Sequence, residues 1–267
     1  MSLNHDLSGE LNFRYGGKAD NVCSMQMNWF DIGWPFVGLG GAFVMLAIML
    51  MTDTFRGNTA VSRWRDPVWL GWLAAPLYWL HQFEEYSLPV LGFDYSIQAT
   101  VCKNMGYPSY PDCPIPFSFY PVVNIGLMWV GAPLAAYLGR RNAAIGLSFW
   151  GMILVNGVAH VAGTILLRDY NTGLFTGLFL FVPLSVWVIY ACGVRGSLSG
   201  KVVGLAFGAG ILTHILLGAG YGLQKIGVIN GTGLLVYAVV LSFTPILFAA
   251  LGSRFIRPEL LQPTPAH

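Results

Sequence analysis

The sequence predicts an all-α protein, a polytopic bundle of transmembrane helices, and three observations carry that prediction. Charged residues make up 10% of the 267 residues and hydrophobic ones 55%, whereas soluble domains carry about 25% charge. Mean hydropathy is +0.60. Stretches free of Asp, Glu, Lys and Arg recur along the chain, and about 20 such residues suffice to cross the roughly 30 Å hydrocarbon layer as a helix. Backbone polar groups in lipid must be satisfied within their own segment, which selects helices for stretches of this length.

Seven spans follow, at residues 33–52, 67–88, 117–138, 142–166, 172–193, 202–223 and 229–251. The second reaches full length only by including His81, Glu84 and Glu85, and is kept because an odd number of crossings suits the charge pattern. Counting Lys and Arg alone, an outside N-terminus places nine on the inner side and five on the outer, which favours N-outside and C-inside. Residues 1–32 form a polar extracytoplasmic segment with no visible secretory signal, residues 33–251 the spanning domain and residues 252–267 a cytoplasmic tail. Cys23, Cys102 and Cys113 all fall on the outer side, where oxidation is permitted, and Cys192 at an inner end. Cys102 and Cys113 would close the loop "VCKNMGYPSYPDCPIP", although three free thiols fit the sequence equally. Gly204 and Gly208, four apart in the sixth span, suit close helix packing. The net charge is only +2 and its basic residues are scattered, so nucleic acid is excluded as a partner and the lipid bilayer is the evident one.

Against this background the stretch "LYWLHQFEEYSLP", residues 77–89, stands out, because it puts His81, Glu84 and Glu85 at the end of an apolar run. Ionised groups in hydrocarbon are costly unless compensated, so such residues mark a functional site by default. At i, i+3 and i+4 all three project from one helical face. In the fourth span "VNGVAHVAGT" sets Asn156 and His160 four apart, the third span carries Asn124 and the sixth His214. With N-outside, the three histidines lie about 12 to 18 residues beyond their spans' inner ends and Asn124 about 7 residues inside its outer end, so at 1.5 Å per residue all fall in the outer half of the bilayer. They can converge on one pocket.

Histidine nitrogens and carboxylate oxygens from separate bundle helices are the usual ligands of zinc or non-haem iron. His81, Glu84, Glu85, His160 and His214 are therefore the candidate ligands of one divalent ion or of a bridged pair. Glu84 and Glu85 point about 100° apart, which leaves room for one to ligate while the other acts as general base or bonds a histidine. Asn156, at i−4 from His160, fits a residue that orients a ligand, and Asn124 is a further cofactor-binding candidate. Plainer roles compete. His214 and Asn124 each suit a packing hydrogen bond equally well, the acidic triplet can reach interfacial water, and Arg168, Asp169 and Tyr170 read as a solvated turn.

"HQFEEY" resembles the signature of the HXXEE-domain family of bacterial integral membrane proteins. The similarity extends through "NGVAHVAGTILLRDYNTGLFTGLFLFVPLSVW", residues 156–187, and covers roughly residues 67 to 190. Carried over residue by residue, it marks His81, Glu84, Glu85, Asn124, Asn156 and His160, and it implies a bacterial inner (cell) membrane. Thr172 stands where the family usually has Pro, and the N-terminal segment is unlike the family's. The family's function is uncharacterised, so the resemblance marks residues without naming a reaction.

Three functions remain open on the sequence. The first is an intramembrane metal-dependent enzyme acting on a small lipophilic substrate in the outer half of the bilayer, a hydrolase with zinc or an oxidoreductase with non-haem iron, with Glu84 or Glu85 as general base. The second is a metal-free lipid isomerase or proton relay between Glu84 and His160. The third is a non-catalytic carrier or subunit of a membrane complex, whose polar centre binds a pigment, quinone or ion. Metal analysis separates the first from the others.

Overall fold

The computed structural model describes residues 4–5, 11–12, 29–87, 96–108, 110, 112–168, 170–196 and 198–256. Cys23, Asp169, most of the polar N-terminal segment and the tail beyond residue 256 lie outside the described residues. Among the described residues, nine helices follow a two-residue strand pair, Asn4–His5 against Leu11–Asn12. They are α1 Trp29–Met51, α2 Pro67–Ser87 and α3 Ser96–Asn104, then α4 Phe119–Leu138, α5 Ala143–Leu166, α6 Leu174–Val194 and α7 Gly200–Lys225, and finally α8 Gly231–Leu241 and α9 Thr244–Ser253.

Helices stand at all seven positions read from the sequence, but not all of them qualify as spans by themselves. Five helices, counting α1 from Gly33, are long and apolar enough to cross a membrane, or six if α8 and α9, bent by 42°, form one broken span. The missing one is α2. It has 21 residues, but His81, Gln82, Glu84 and Glu85 fill its last two turns and lower its hydropathy. It is packed on α1, α4, α5 and α6, so its polar end is surrounded by protein rather than lipid.

Local chemistry fixes where α2 begins. The Asp66 carboxylate is fully buried and accepts from the amides of Val68 at 3.0 Å, Gly57 at 2.7 Å and Asn58 at 3.1 Å. The bond to Val68 caps an orphan amide at the helix start, those to Gly57 and Asn58 tie the preceding loop to it, and Pro67 supplies a first residue with no amide to satisfy. Indole N–H groups then staple the helices together by donating to carbonyls of their neighbours, Trp69 to Met49 at 3.1 Å, Trp150 to Leu70 at 2.9 Å and Trp79 to Met128 at 3.1 Å. The Met128 carbonyl is free for a specific reason. Residues Ile125–Gly131 are wound as a π-helix, whose i→i+5 pattern would give Met128 the amide of residue 133, and Pro133 has none. A second π segment, Gly177–Phe181, precedes Pro183 in α6 and shapes the helix beside the polar centre.

The tight packing of α7 does not come from Gly204 and Gly208, which face open space. It comes from Gly151 and Gly210, where a Cβ would fall 2.0 Å from the Phe207 carbonyl oxygen and 2.1 Å from the Met152 nitrogen. Two glycines on facing helices let the backbones of α5 and α7 touch.

Cys102 and Cys113 form a disulfide with Cα atoms 6.1 Å apart. The bond closes the connection between α3 and α4, and on the chain-entropy model a loop of this size contributes roughly 3 kcal/mol. Thiol-blocked protein should therefore migrate differently on gels with and without reductant, and melt lower when both cysteines are replaced by Ser.

Candidate metal centre

Two helices supply the polar centre. His81 and Glu85 sit one turn apart on α2 and His160 faces them from α5, all three buried, with relative exposures of 0%, 6% and 5%. Glu85 lies between the imidazoles: one carboxylate oxygen is 3.6 Å from His81 Nε2 and the other 3.4 Å from His160 Nε2. The rings meet edge to face with centroids 4.8 Å apart, and one potential ligand atom from each residue lies within 4.8 Å of the others. A tetrahedral ion bound at 2.0–2.1 Å has ligand-to-ligand edges of about 3.4 Å. The group could hold a metal ion.

Hydrogen positions follow from the partners of the outward nitrogens. Thr176 Oγ has a single proton, which it gives to Glu84 at 2.5 Å, so the 2.6 Å contact from His81 Nδ1 to the same oxygen makes Nδ1 the donor. His160 Nδ1 lies 3.0 Å from the amide oxygen of Asn171 and is a donor as well. Both imidazoles therefore carry a proton on Nδ1 and turn Nε2 to the carboxylate, as a lone pair in the neutral ring. His81 Nε2 is buried without a hydrogen-bond partner among the described residues. With both rings neutral, three acceptors face one another away from water and repel unless a metal ion or a further proton joins them.

Glu84, a candidate ligand and general base on the sequence, is not part of this group. Its two oxygens accept from the amides of Phe175 at 2.9 Å and Thr176 at 2.8 Å, from Thr176 Oγ, and from Tyr170 OH at 2.8 Å. A carboxylate suits the exposed amides at the start of α6, and through Thr176 it fixes the orientation of His81. Tyr170, expected in a solvated turn, is thus part of the support. Burial and the adjacent Glu84 raise its pKa above the ordinary tyrosine value, which keeps it a donor.

The remaining candidates stand outside the trio. His214 is not among the three, and its Nδ1 is buried without a hydrogen-bond partner among the described residues. Asn156 donates to Tyr78 OH at 3.2 Å and does not touch His160 through any described hydrogen bond. Asn124 braces α2 from the opposite side, donating to Tyr86 OH at 3.0 Å and accepting from Gln82 at 3.2 Å, while Trp129 donates to Gln82 at 2.9 Å. It satisfies Gln82, the residue beside His81, and so holds the register of α2.

Asn171, Gly173 and Thr176 are the residues that sequence reading missed. Gly173 has φ +95°, and a Cβ there would meet His81 Cε1 at 2.6 Å and His160 Cε1 at 2.8 Å. The turn can cross the two rings only as glycine. "DYNTGLFTG" carried the available signal: a turn-forming Asn two residues before a glycine, with a Thr in the first turn of the next helix. Removing either outer hydrogen bond should leave the ligands in place but loosen them, so Asn171→Ala and Thr176→Val are each expected to weaken metal affinity about 10- to 100-fold, as read by competition with a chelating dye.

Comparison with known proteins agrees with the position of the centre. Residues 72–188 match the family described as protein of unknown function with HXXEE motif, a segment that contains His81, Glu84, Glu85 and His160. A stretch of 123 residues is 33% identical to the uncharacterized MFS-type transporter YfnC of Bacillus subtilis (strain 168), covering 45% of this chain. The match spans 27% of that relative's length. No solved structure gives a significant match. Over residues 72–188, under half of its length, the chain is similar to the HXXEE-motif family.

Proposed function

We propose that the chain is an integral membrane enzyme of the bacterial inner membrane, crossing seven times with its C-terminus inside, that uses one divalent ion held by His81, Glu85 and His160 to act on a small lipophilic substrate. One observation carries the reading: two imidazoles, each fixed by a separate partner on the Nδ1 side, direct Nε2 at the same buried carboxylate. Two nitrogens and one oxygen suit zinc or ferrous iron and leave coordination positions free for water or substrate. A bound ion would supply Lewis acidity or, if iron, oxidation chemistry. The chain itself holds the ligands in one tautomer, keeps bulk water from them and closes one side with the turn at Gly173. Glu84, its oxygens engaged by four donors, serves as anchor rather than base.

A carrier is the second reading, favoured by the transporter name of the Bacillus subtilis relative, and in it the ion is cargo. Exhaustive dialysis of metal-loaded protein distinguishes them. A resident ion should remain at about one per chain, and conversion of a component of a bacterial lipid extract, followed by mass spectrometry, should stop on chelation and resume when the ion is returned. Loss of the ion on dialysis together with metal-driven uptake into proteoliposomes would establish the carrier instead.

A further inference from the structure

Opposite the disulfide-closed loop, the connection between α1 and α2 carries three arginines, and two are consumed by the backbone. Arg56 bonds Asp53 at 2.8 Å and the carbonyls of Asn58 and Val61, and Arg63 takes the carbonyls of Met49 and Leu50 at the end of α1. Arg65 is exposed, and its guanidinium has no hydrogen-bond or ion-pair partner among the described residues. Its neighbour Asp66 does not neutralise it, because that carboxylate is buried and committed to the amides of Gly57, Asn58 and Val68.

Arg65 lines a cleft of about 570 Å³ together with Ser62, Trp64, Pro183, Leu184 and Trp187. Trp187 donates to the Trp64 carbonyl at 2.8 Å, which ties the loop to the flank of α6. Its α6 wall runs from Pro183 to Trp187, ~6 Å of helix, so the cleft sets the loop's polar groups beside an apolar stretch of the helix. A cation and a hydroxyl lie at its polar end, and indole, proline and leucine line its body.

We propose that this cleft binds one anionic phospholipid of the adjacent leaflet, with the phosphate on Arg65 and Ser62 and an acyl chain along Trp64, Leu184 and Trp187. Charge selects the headgroup, since a basic side chain at the membrane surface favours anionic over zwitterionic lipid. The apolar lining of the cleft, Trp64, Pro183, Leu184 and Trp187, selects a lipid over a free phosphate. The site is independent of the metal centre and of its function.

Native mass spectrometry of the full chain, presented with equal amounts of phosphatidylglycerol and phosphatidylcholine in mixed micelles, tests the proposal. Wild-type protein should retain phosphatidylglycerol about five-fold better, the worth of one basic side chain at an anionic surface. Arg65→Gln should bring the two lipids to parity, whereas Arg141→Gln, an exposed arginine outside the cleft, should leave the preference unchanged. Glycerol phosphate, a headgroup without chains, should not displace the lipid. Equal retention of both lipids by wild type, displacement by glycerol phosphate, or an undiminished preference in Arg65→Gln would overturn the proposal.

Discussion

Glu85→Gln should abolish metal binding without destabilising the metal-free protein. The carboxylate is the only anionic group of the trio, and its oxygens sit 3.4 Å and 3.6 Å from two Nε2 atoms. An amide removes the charge and gives one imidazole a hydrogen-bond donor, which relieves the clash of acceptors that an ion would otherwise relieve. Affinity should fall more than 100-fold, beyond the about 10- to 100-fold of the orienting residues, while the melting temperature of the metal-free variant equals or exceeds that of metal-free wild type. A purely structural Glu85 predicts the reverse: lower stability and unchanged metal content. His81→Ala and His160→Ala should also lose the ion but melt lower, because each also removes a buried ring from the core.

Gly173→Ala carries the second large effect. At φ +95° any side chain strains the backbone, and the new methyl group would fall within 2.8 Å of carbon atoms of both imidazoles. Gly227 provides the control, because its φ is +76° with nothing within 4 Å of the would-be Cβ. Gly227→Ala should cost about 1–2 kcal/mol, the backbone term alone. Gly173→Ala should cost roughly 3 kcal/mol or more, once overpacking against rings held by Thr176 and Asn171 is added, and it should lose the ion. Equal melting temperatures and metal contents for the two variants would mean that the turn at Gly173 does not hold the rings.

The helical class and the positions of the helices were legible because lipid leaves few alternatives: apolar length and a scarcity of charge define each segment. The meeting of His81, Glu85 and His160 was legible too, from helical periodicity within α2 and the shared depth of two spans. The division of labour between Glu84 and Glu85 was not. It depends on the start of α6 lying beside Glu84, so that the amides of Phe175 and Thr176 reach it, and that is a tertiary fact about a turn whose sequence looks solvated. Asn124 stayed open between a site role and a packing hydrogen bond for a related reason. Depth places it near the histidines, but its bonds to Gln82 and Tyr86 put it on another face of α2, and depth carries no information about azimuth. Gly204 and Gly208 have the spacing of a packing motif, yet Gly210 makes the contact with α5, because spacing does not reveal which face of α7 is turned inward.

X-ray absorption at the metal edge, on protein purified from cells supplied with zinc or iron, tests the centre most directly. Wild type should show a shell of nitrogen and oxygen at about 2.0–2.2 Å with the outer scattering of two imidazoles, and His81→Ala and His160→Ala should each lose that signature together with the bound ion. A metal shell unchanged in both variants, or no metal retained by wild type under either supply, would contradict a centre built on His81, Glu85 and His160.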